Sequence, residues 1–389
     1  MNKLNNEIQQ LFTSGVKKIQ QSANSLSLDL ISINLKTNIL CNSSMCMPKL
    51  QDFSESFNKL LNKSNEYNNE IDTFITDDEL IFNNIKEIIE NKEWTTNIPI
   101  NEFNKVTINT SIAKCTKDEK FYIMRCYEYF YYIYNKKKKQ CLMVINNDKK
   151  AITMVNILLL TPYLLYGDLY AVHGGLVSDG ENNILISNSS LGGKTTFALL
   201  FLTNGWNIVT EETTYITKKG EILNFNIRNY FNIRVGTYLE FKDYFINSSI
   251  INETFLSMSD MPKEDLFNYG KKDQMSIDFD KLCNDEFRVK NNKITHSLKV
   301  SISKENNGIN ILKCSPTENV DRFLELSLAP TVMLFKELVN YNHVSIKERK
   351  QELTTIFQNI NSYIIDSDFN YKQNYDIILE KINIKNHNK

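Results

Sequence analysis

Hydrophobic and polar positions give the first half of the chain a mixture of helix and strand patterns. The predicted elements are helices at 5–21 and 54–68 and strands at 28–40, 106–115, 121–135 and 141–146. Lysines at 136–139 predict a solvated hairpin turn, with a nucleic-acid contact as the alternative. The aromatic residues at 121–134 are predicted to fill a sheet interior, with a binding face as the alternative.

The second half follows a different pattern, strand, glycine turn, helix and strand. An apolar stretch at 152–166 precedes it and predicts a buried helix, because a membrane-spanning helix needs about 20 apolar residues. The further predicted elements are strands at 182–187, 206–212, 214–218, 222–227 and 230–241 and helices at 196–204, 322–339 and 347–360. We therefore predict an α+β N-terminal domain at 1–150 and an α/β domain at 151–389 with a helical C-terminal part.

Composition narrows the class of protein. The 389 residues are 42% hydrophobic, which allows two domains with real cores and excludes disorder throughout. A formal net charge of −1 argues against a protein that coats nucleic acid. The seven cysteines form no Cys-x-x-Cys pair, which favours reduced structural thiols over a zinc site. The N-terminus lacks the apolar core of a signal peptide, so we expect a soluble, cytoplasmic protein with no membrane partner.

Only 12 residues are glycine, so a glycine pair that follows a predicted strand and opens a predicted helix is informative. The loop and the start of the helix comprise Asn188, Ser189, Ser190, Leu191, Gly192, Gly193, Lys194, Thr195 and Thr196. They follow the phosphate-binding pattern G-x-x-x-x-G-K-S/T, except that Asn188 replaces the first glycine. In this pattern loop N–H groups surround a polyphosphate, Lys194 contacts the terminal phosphates and Thr195 helps to bind Mg²⁺. A simple tight turn is the alternative.

Two acids and a histidine favour the nucleotide site over the simple turn. Glu211 and Glu212 end the next predicted strand, and adjacent strands of an open α/β sheet place their carboxyl ends around one crevice. Carboxylates there can bind Mg²⁺ and accept a proton. His173 lies on a strand joined by a short turn to the strand that enters the loop. A hairpin would bring His173 near the phosphates, whereas a buried core histidine is the alternative.

The string from HGGLV through NILISNSSLGGKTTFALLFLTNGWNIVTEE resembles the catalytic core of the HPr kinase/phosphorylase family of bacterial serine kinases. That family has a His-Gly strand, a strand entering G-x-S-G-x-G-K-S/T, a helix ending before a glycine, and a strand closing in two Asp. The segment 232–236 is similar to its E-x-R-G signature, with Arg234 retained. The resemblance covers roughly 165–240 and implies a mixed sheet with flanking helices.

The resemblance also implies roles for individual residues. Lys194 and the loop would bind ATP, Thr195 and Glu212 would bind Mg²⁺, Glu211 would accept the hydroxyl proton, and His173 would contact the transferred phosphate or orient the base. Asn188 and Leu191 replace loop glycines, Glu211 and Glu212 replace the two Asp, and Asn232 replaces an acid.

The divergent N-terminal half makes the chain similar to kinases that modify ribosomally made peptides. Its strands at 121–134 are then expected to hold a substrate peptide by strand addition. The expected reaction is phosphoryl transfer from ATP to a Ser or Thr of a peptide or small protein. Classical members are hexamers, so a homo-oligomer is implied. A catalytically inactive binding partner and a small-molecule kinase are the alternatives. Lys271 and Lys272 are assigned to a surface turn, with a phosphate contact as the alternative.

Overall fold

The computed structural model describes most of both halves of the chain. The described residues are 2–31, 35–61, 69–91, 96–97, 111–115, 121–126, 130–135, 137–146, 155, 159–160, 163, 169–188, 193–211, 213–223, 230–262, 265–266, 274–278, 281–282, 292–303, 308–315, 317–318, 320, 346–370 and 372–385. The chain forms two compact units, unit 1 (1–169 and 328–345) and unit 2 (170–327 and 346–389). The predicted boundary at residue 150 therefore falls inside unit 1.

Unit 1 is built on one mixed sheet. Its elements are α1 (Asn2–Gln20), β1 (Leu26–Ile31), β2 (Leu35–Cys41), α2 (Met47–Leu61), β3 (Asn69–Thr76), α3 (Glu79–Asn91), β4 (Thr96–Asn97), β5 (Ser111–Cys115), β6 (Phe121–Cys126), β7 (Phe130–Asn135) and β8 (Gln140–Ile145). The eight strands lie in the order β1-β2-β3-β8-β7-β6-β5-β4. The β2–β3 and β3–β8 pairs are parallel and the other pairs are antiparallel.

Helices α1 and α3 cover one face of this sheet. Phe12 of α1 and Ile85 of α3 lie in one buried cluster with Tyr131 and Ile133 of β7, as expected for apolar positions at helical spacing over alternate strand residues. All six residues of β7 are buried, so its aromatic side chains fill the interior of unit 1. The predicted interior role of these aromatic residues is confirmed for β7.

Two sequence predictions for unit 1 are wrong. The segment 28–40 is not one strand but the antiparallel pair β1–β2, because Leu28 lies opposite Ile39. The segment 121–135 likewise forms two antiparallel strands, in which Ile123 lies opposite Ile133. Strand addition along 121–134 is therefore excluded, because β5 and β7 flank β6 while β6 and β8 flank β7. Neither strand has an open hydrogen-bonding edge.

Unit 2 carries the glycine loop. Its elements are β9 (Leu169–His173), β10 (Gly175–Ser178), β11 (Asn183–Ser187), α4 (Lys194–Leu202), β12 (Asn207–Thr210), β13 (Thr213–Thr217), β14 (Tyr230–Arg234), α5 (Val235–Glu240), α6 (Lys242–Asn247), α7 (Glu253–Leu256), β15 (Gln274–Asp278), β16 (His296–Ile302), β17 (Ile309–Lys313), α8 (Ile346–Phe357), β18 (Asn361–Ser367) and α9 (Tyr375–Lys381). The main sheet has the order β12-β10-β11-β16-β18-β17, and β9–β13 and β14–β15 form separate pairs.

Strand direction in the main sheet places several strand ends together. Strands β11, β16 and β18 are mutually parallel. Strand β10 is antiparallel to both β11 and β12, so β11 and β12 run parallel to each other. The carboxyl ends of β11, β12, β16 and β18 therefore meet the amino end of β10 at one edge of the sheet, here called the carboxyl edge.

Helices cover both faces of the main sheet. Phe197 of α4, Tyr238 of α5 and Ile378 of α9 share a buried cluster with strand residues on one face. On the other face Leu353 and Phe357 of α8 lie in a second cluster. The prediction of an α/β fold with mixed sheets and flanking helices is confirmed.

One predicted strand of unit 2 is partly helical. The segment 230–241 was predicted as a strand, but β14 ends at Arg234 and α5 begins at Val235. Tyr238 therefore lies on helix α5, where its hydroxyl donates a hydrogen bond to the Ile250 carbonyl at 2.9 Å.

Among the helices of the described ranges, we find none that combines the length and apolarity needed to cross a bilayer.

Candidate functional site

The glycine loop begins where β11 ends and finishes at the first turn of α4. Gly193 precedes α4 with φ 94° and ψ 4°, in the left-handed region that disfavours residues with a Cβ. A Cβ on Gly193 would also lie 2.6 Å from Ile302 Cδ1, well inside van der Waals contact. The backbone angle therefore favours glycine at this position, and the close approach of the Ile302 side chain of β16 adds to this preference.

The first turn of α4 presents backbone donors toward the loop. The first bond within the helix runs from Phe197 N to the Gly193 carbonyl at 2.9 Å, so the N–H groups of residues 194–196 have no acceptor within the helix. Gly193 supplies no side-chain cap. The positive end of the helix dipole adds to these donors. Such a helix start suits an anion, and a polyphosphate fits the absence of a side chain at Gly193.

Lys194 and His173 lie together at this helix start. Lys194 Nζ is 3.0 Å from His173 Nε2. An ammonium group has only donors, so in a hydrogen bond between the two groups Lys194 Nζ is the donor and His173 Nε2 the acceptor. Both residues are partly exposed. The structure thus brings together two of the residues that the sequence singled out.

The Gly-Gly pair after His173 brings Glu211 to the same edge. A Cβ on Gly175 would lie 2.6 Å from the Glu211 carbonyl oxygen, so the backbone after β12 packs directly against the start of β10. Thr214 Oγ1 donates a hydrogen bond to the Gly174 carbonyl at 2.9 Å and lies 2.7 Å from Thr210 Oγ1. These buried hydroxyls fix the backbone between His173 and Glu211, and no sequence pattern pointed to them.

Asn188 occupies the first position of the loop pattern and is bound to the sheet. Its amide Nδ2 donates a hydrogen bond to the Val300 carbonyl of β16. The side chain is therefore used to attach the start of the loop to the neighbouring strand. The loop residues 189–192 (Ser189, Ser190, Leu191 and Gly192) lie outside the described residues, and so do Glu212, Lys271 and Lys272.

Thr195 and Thr196 differ in their surroundings. Thr195 is partly exposed, whereas Thr196 is buried with its Oγ1 3.0 Å from Thr237 Oγ1 of α5. The Thr196 side chain thus serves packing, so the group that it could offer to a ligand is its backbone N–H at the helix start. Thr237 lies close after Arg234, so this contact ties the first turn of α4 to the segment that contains Arg234. Partial burial lowers the pKa of the Arg234 guanidinium below its usual value.

The described residues fit the phosphate groups of a nucleotide better than they define a metal site. The backbone donors of the first α4 turn and Lys194 are suited to polyphosphate oxygens. Thr195 Oγ1 and the Glu211 carboxylate are oxygen ligands of the kind that Mg²⁺ prefers. Within the described ranges, no three His, Cys, Asp or Glu side chains cluster as a metal site would require.

Comparison with known proteins does not assign a family. No protein-family model matches this chain, and no curated protein matches it. The resemblance to the HPr kinase/phosphorylase core therefore stays a prediction, and the geometry of unit 2 carries the functional argument.

Proposed function

We propose that unit 2 is a P-loop domain of the HPr kinase-like type that binds Mg²⁺ and ATP and transfers the γ-phosphoryl group to a Ser or Thr hydroxyl of a peptide or small protein. The observation that carries this proposal is the contact of Lys194 with His173 at 3.0 Å, directly beside the left-handed Gly193 at the start of α4. A simple tight turn needs no lysine directed toward a histidine from another strand.

Each group has a defined part in the proposed reaction. Lys194 and the N–H groups of the first α4 turn bind and neutralise phosphate oxygens. The acceptor oxygen forms the new P–O bond, the bond to ADP breaks, and the hydroxyl proton passes to Glu211. Thr195 and Glu212 would hold Mg²⁺, which supplies charge neutralisation when bound. His173 orients Lys194.

Transfer chemistry of this kind depends on positioning more than on covalent help. The hydrogen bonds of Thr214 and Asn188 hold the two strand ends that carry His173 and the loop. The rigid support of the site by β10, β11 and β16 is therefore consistent with catalysis.

The test uses the full chain, Mg²⁺, ATP and a degenerate synthetic peptide library with one fixed serine or threonine. We expect phosphate to appear on a subset of peptides, detected by mass. Lys194→Ala should abolish it, whereas Lys219→Ala, at an exposed lysine in the turn after β13, should not. Mg²⁺ and ATP should also raise the melting temperature of the wild type and of Lys219→Ala, but not that of Lys194→Ala.

The remaining outcomes separate the alternatives. Stabilisation by nucleotide with no transfer to any peptide would favour a catalytically inactive nucleotide- or peptide-binding partner. Transfer to free hydroxyl compounds but not to peptides would favour a small-molecule kinase. Absence of any nucleotide effect on stability would overturn the proposal.

A further inference from the structure

Strand β17 lies at the end of the main sheet of unit 2. It pairs with β18 on one side, and no described strand pairs with it on the other. An edge strand of this kind offers a row of backbone donors and acceptors to another chain. The free side of β17 is therefore a candidate docking edge within the unit that carries the proposed active site.

Hydrogen bonds at both ends of β17 define which groups face outward. Asp368 N donates to the Gly308 carbonyl at 3.0 Å, and Cys314 N donates to the Ser362 carbonyl at 2.9 Å. Hydrogen-bonded residues alternate along an antiparallel pair, so the backbone groups of Asn310 and Leu312 also bond to β18. The N–H and C=O groups of Ile309, Ile311 and Lys313 consequently point away from β18.

The edge strand β1 of the sheet in unit 1 shows how a side chain can occupy backbone groups at a sheet edge. In unit 1, the Asn58 side chain of α2 accepts a hydrogen bond from Ile31 N at 3.1 Å and donates one to the Asp29 carbonyl at 2.6 Å. Asn58 thus occupies two backbone groups of the edge strand β1, the Asp29 carbonyl and the Ile31 N–H. Among the described residues, no side chain or strand bonds to the outward backbone groups of β17.

The side chains of β17 add a chemical preference. Ile309 and Ile311 pack partly against the core on the α4 face of the sheet. Leu312 points to the opposite face and is 52% exposed, and Lys313 is exposed as well. A partner strand can place an apolar residue beside Leu312 and a carboxylate beside Lys313, since cross-strand pairs of both kinds are stabilising.

The direction of β17 connects its open edge to the candidate site. Strand β17 is antiparallel to β18, so Ile309 lies opposite Ser367 at the carboxyl edge, where β11 also ends. A peptide antiparallel to β17 would run toward that edge. It would lie four strand spacings from β11, about 19 Å, and an extended chain covers about 3.3 Å per residue.

We propose that the open edge of β17 binds an extended segment of the acceptor peptide by strand addition, antiparallel to β17. The segment carries an apolar residue beside Leu312 and an acidic residue beside Lys313, and the phosphorylated Ser or Thr follows about six residues later. This inference rests on the proposed function. It assigns substrate binding to unit 2 rather than to the closed strands at 121–134.

Backbone substitution at Lys313 tests the edge without opening the sheet. Lys313→Pro removes one outward N–H group and leaves the hydrogen bonds to β18 intact, and proline is tolerated on such edges. Lys313→Thr is the matched control, because it removes the charge but keeps the N–H group. Leu312→Asp is a second variant, which alters the exposed side chain and introduces a charge unfavourable to an acidic peptide.

The probe is the degenerate serine library immobilised on beads and incubated with labelled full-length protein in the absence of nucleotide. We expect wild type to select peptides with an apolar and acidic extended segment before the serine. Lys313→Thr should still bind these peptides through its backbone N–H group but should lose the preference for the acidic residue. Lys313→Pro should bind those peptides at least about tenfold more weakly. Leu312→Asp should bind them more weakly too, with stabilisation by Mg²⁺ and ATP unchanged in all three variants.

Several results would overturn the docking edge. The first is equal peptide binding by Lys313→Pro and Lys313→Thr, and the second is that the wild type selects no peptides. The third is conversion of a dimer to a monomer by Lys313→Pro in sedimentation, because the edge would then be an interface between two copies of the chain. Edge-dependent binding without phosphoryl transfer would support docking and reject the proposed reaction. Phosphoryl transfer that is equal in all variants and does not depend on the residues before the serine would support the proposed reaction and reject the docking edge.

Discussion

Lys194 Nζ lies 3.0 Å from His173 Nε2, which joins the first turn of α4 to the end of β9. The Lys194 side chain is thus directed toward the imidazole of His173. Ordering a long side chain in advance reduces the entropy lost when a ligand binds. The contact therefore suggests a lysine prepared for phosphate oxygens.

Removal of the imidazole tests this positioning role. We expect His173→Ala to weaken the binding of Mg²⁺ and ATP by about tenfold, because Lys194 loses a hydrogen bond to its charged group. Isothermal titration calorimetry measures the affinity, and His173→Gln, which retains an acceptor, should recover part of it. Tighter nucleotide binding by His173→Ala would instead mean that the histidine withholds the lysine.

Gly193 is expected to tolerate substitution poorly, because both its backbone conformation and the space around it oppose a Cβ. Gly193→Ala must place a Cβ at φ 94° and 2.6 Å from Ile302 Cδ1. Gly308→Ala is the matched control, because its φ is 76° but no atom lies within 4 Å of the added Cβ. The backbone term costs about 1–2 kcal/mol in both variants.

The difference between these two variants isolates the packing against β16. We expect urea unfolding to show at least about 1 kcal/mol more destabilisation for Gly193→Ala than for Gly308→Ala. Combination with Ile302→Ala should give a favourable coupling energy, since the shortened side chain relieves the contact. Equal losses in the two glycine variants would contradict the tight approach of Ile302.

The local pattern of the sequence was sufficient for the central elements of unit 2. Apolar runs bounded by polar turns predicted β11, α4 and β12, because these elements are buried almost throughout. The segment 230–241 was less informative, since its aromatic and β-branched residues favour a strand while tertiary packing makes its second half helical. A short stretch of sequence indicates only the local propensity for strand or helix. In this segment the packing of Tyr238 determines that the second half is helical.

The supporting residues of the site were not predictable in the same way. Ile302 restricts Gly193, and Thr237 binds Thr196, although each partner lies far along the chain. Nothing in the sequence near residue 193 indicates which later strand will pack against it. The loop pattern therefore identified the phosphate-binding candidates, whereas only the sheet order revealed what holds them and which edges are closed.

The reactivity of the cysteines is predicted from burial. Burial raises the pKa of the Cys41, Cys46 and Cys141 thiols to about 12. We expect these three to resist iodoacetamide at pH 8 in the native protein, while the partly exposed Cys314 is alkylated. Peptide mapping by mass spectrometry checks this, with labelling in urea as the control. Rapid native labelling of Cys41 or Cys46 would contradict the buried environment.

His296 is expected to make the stability of unit 2 depend on pH. Its ring is buried, with Nε2 3.0 Å from the Ile382 carbonyl. Burial lowers the pKa of His296 below 6.5, against the opposing effects of the Ile382 carbonyl and Asp179. The unfolded chain therefore binds a proton more readily than the folded one. The stabilisation is complete above pH 6.5 and is lost as the pH falls through 6.5 toward the folded-state pKa.

Urea unfolding between pH 5 and pH 8 measures this contribution. We expect the free energy of unfolding to rise with pH, with a slope of at most about 1.4 kcal/mol per pH unit from His296. His296→Gln should reduce the slope, because a neutral amide binds no proton in either state. An unchanged slope in His296→Gln would show that this buried imidazole does not govern the acid sensitivity of the fold.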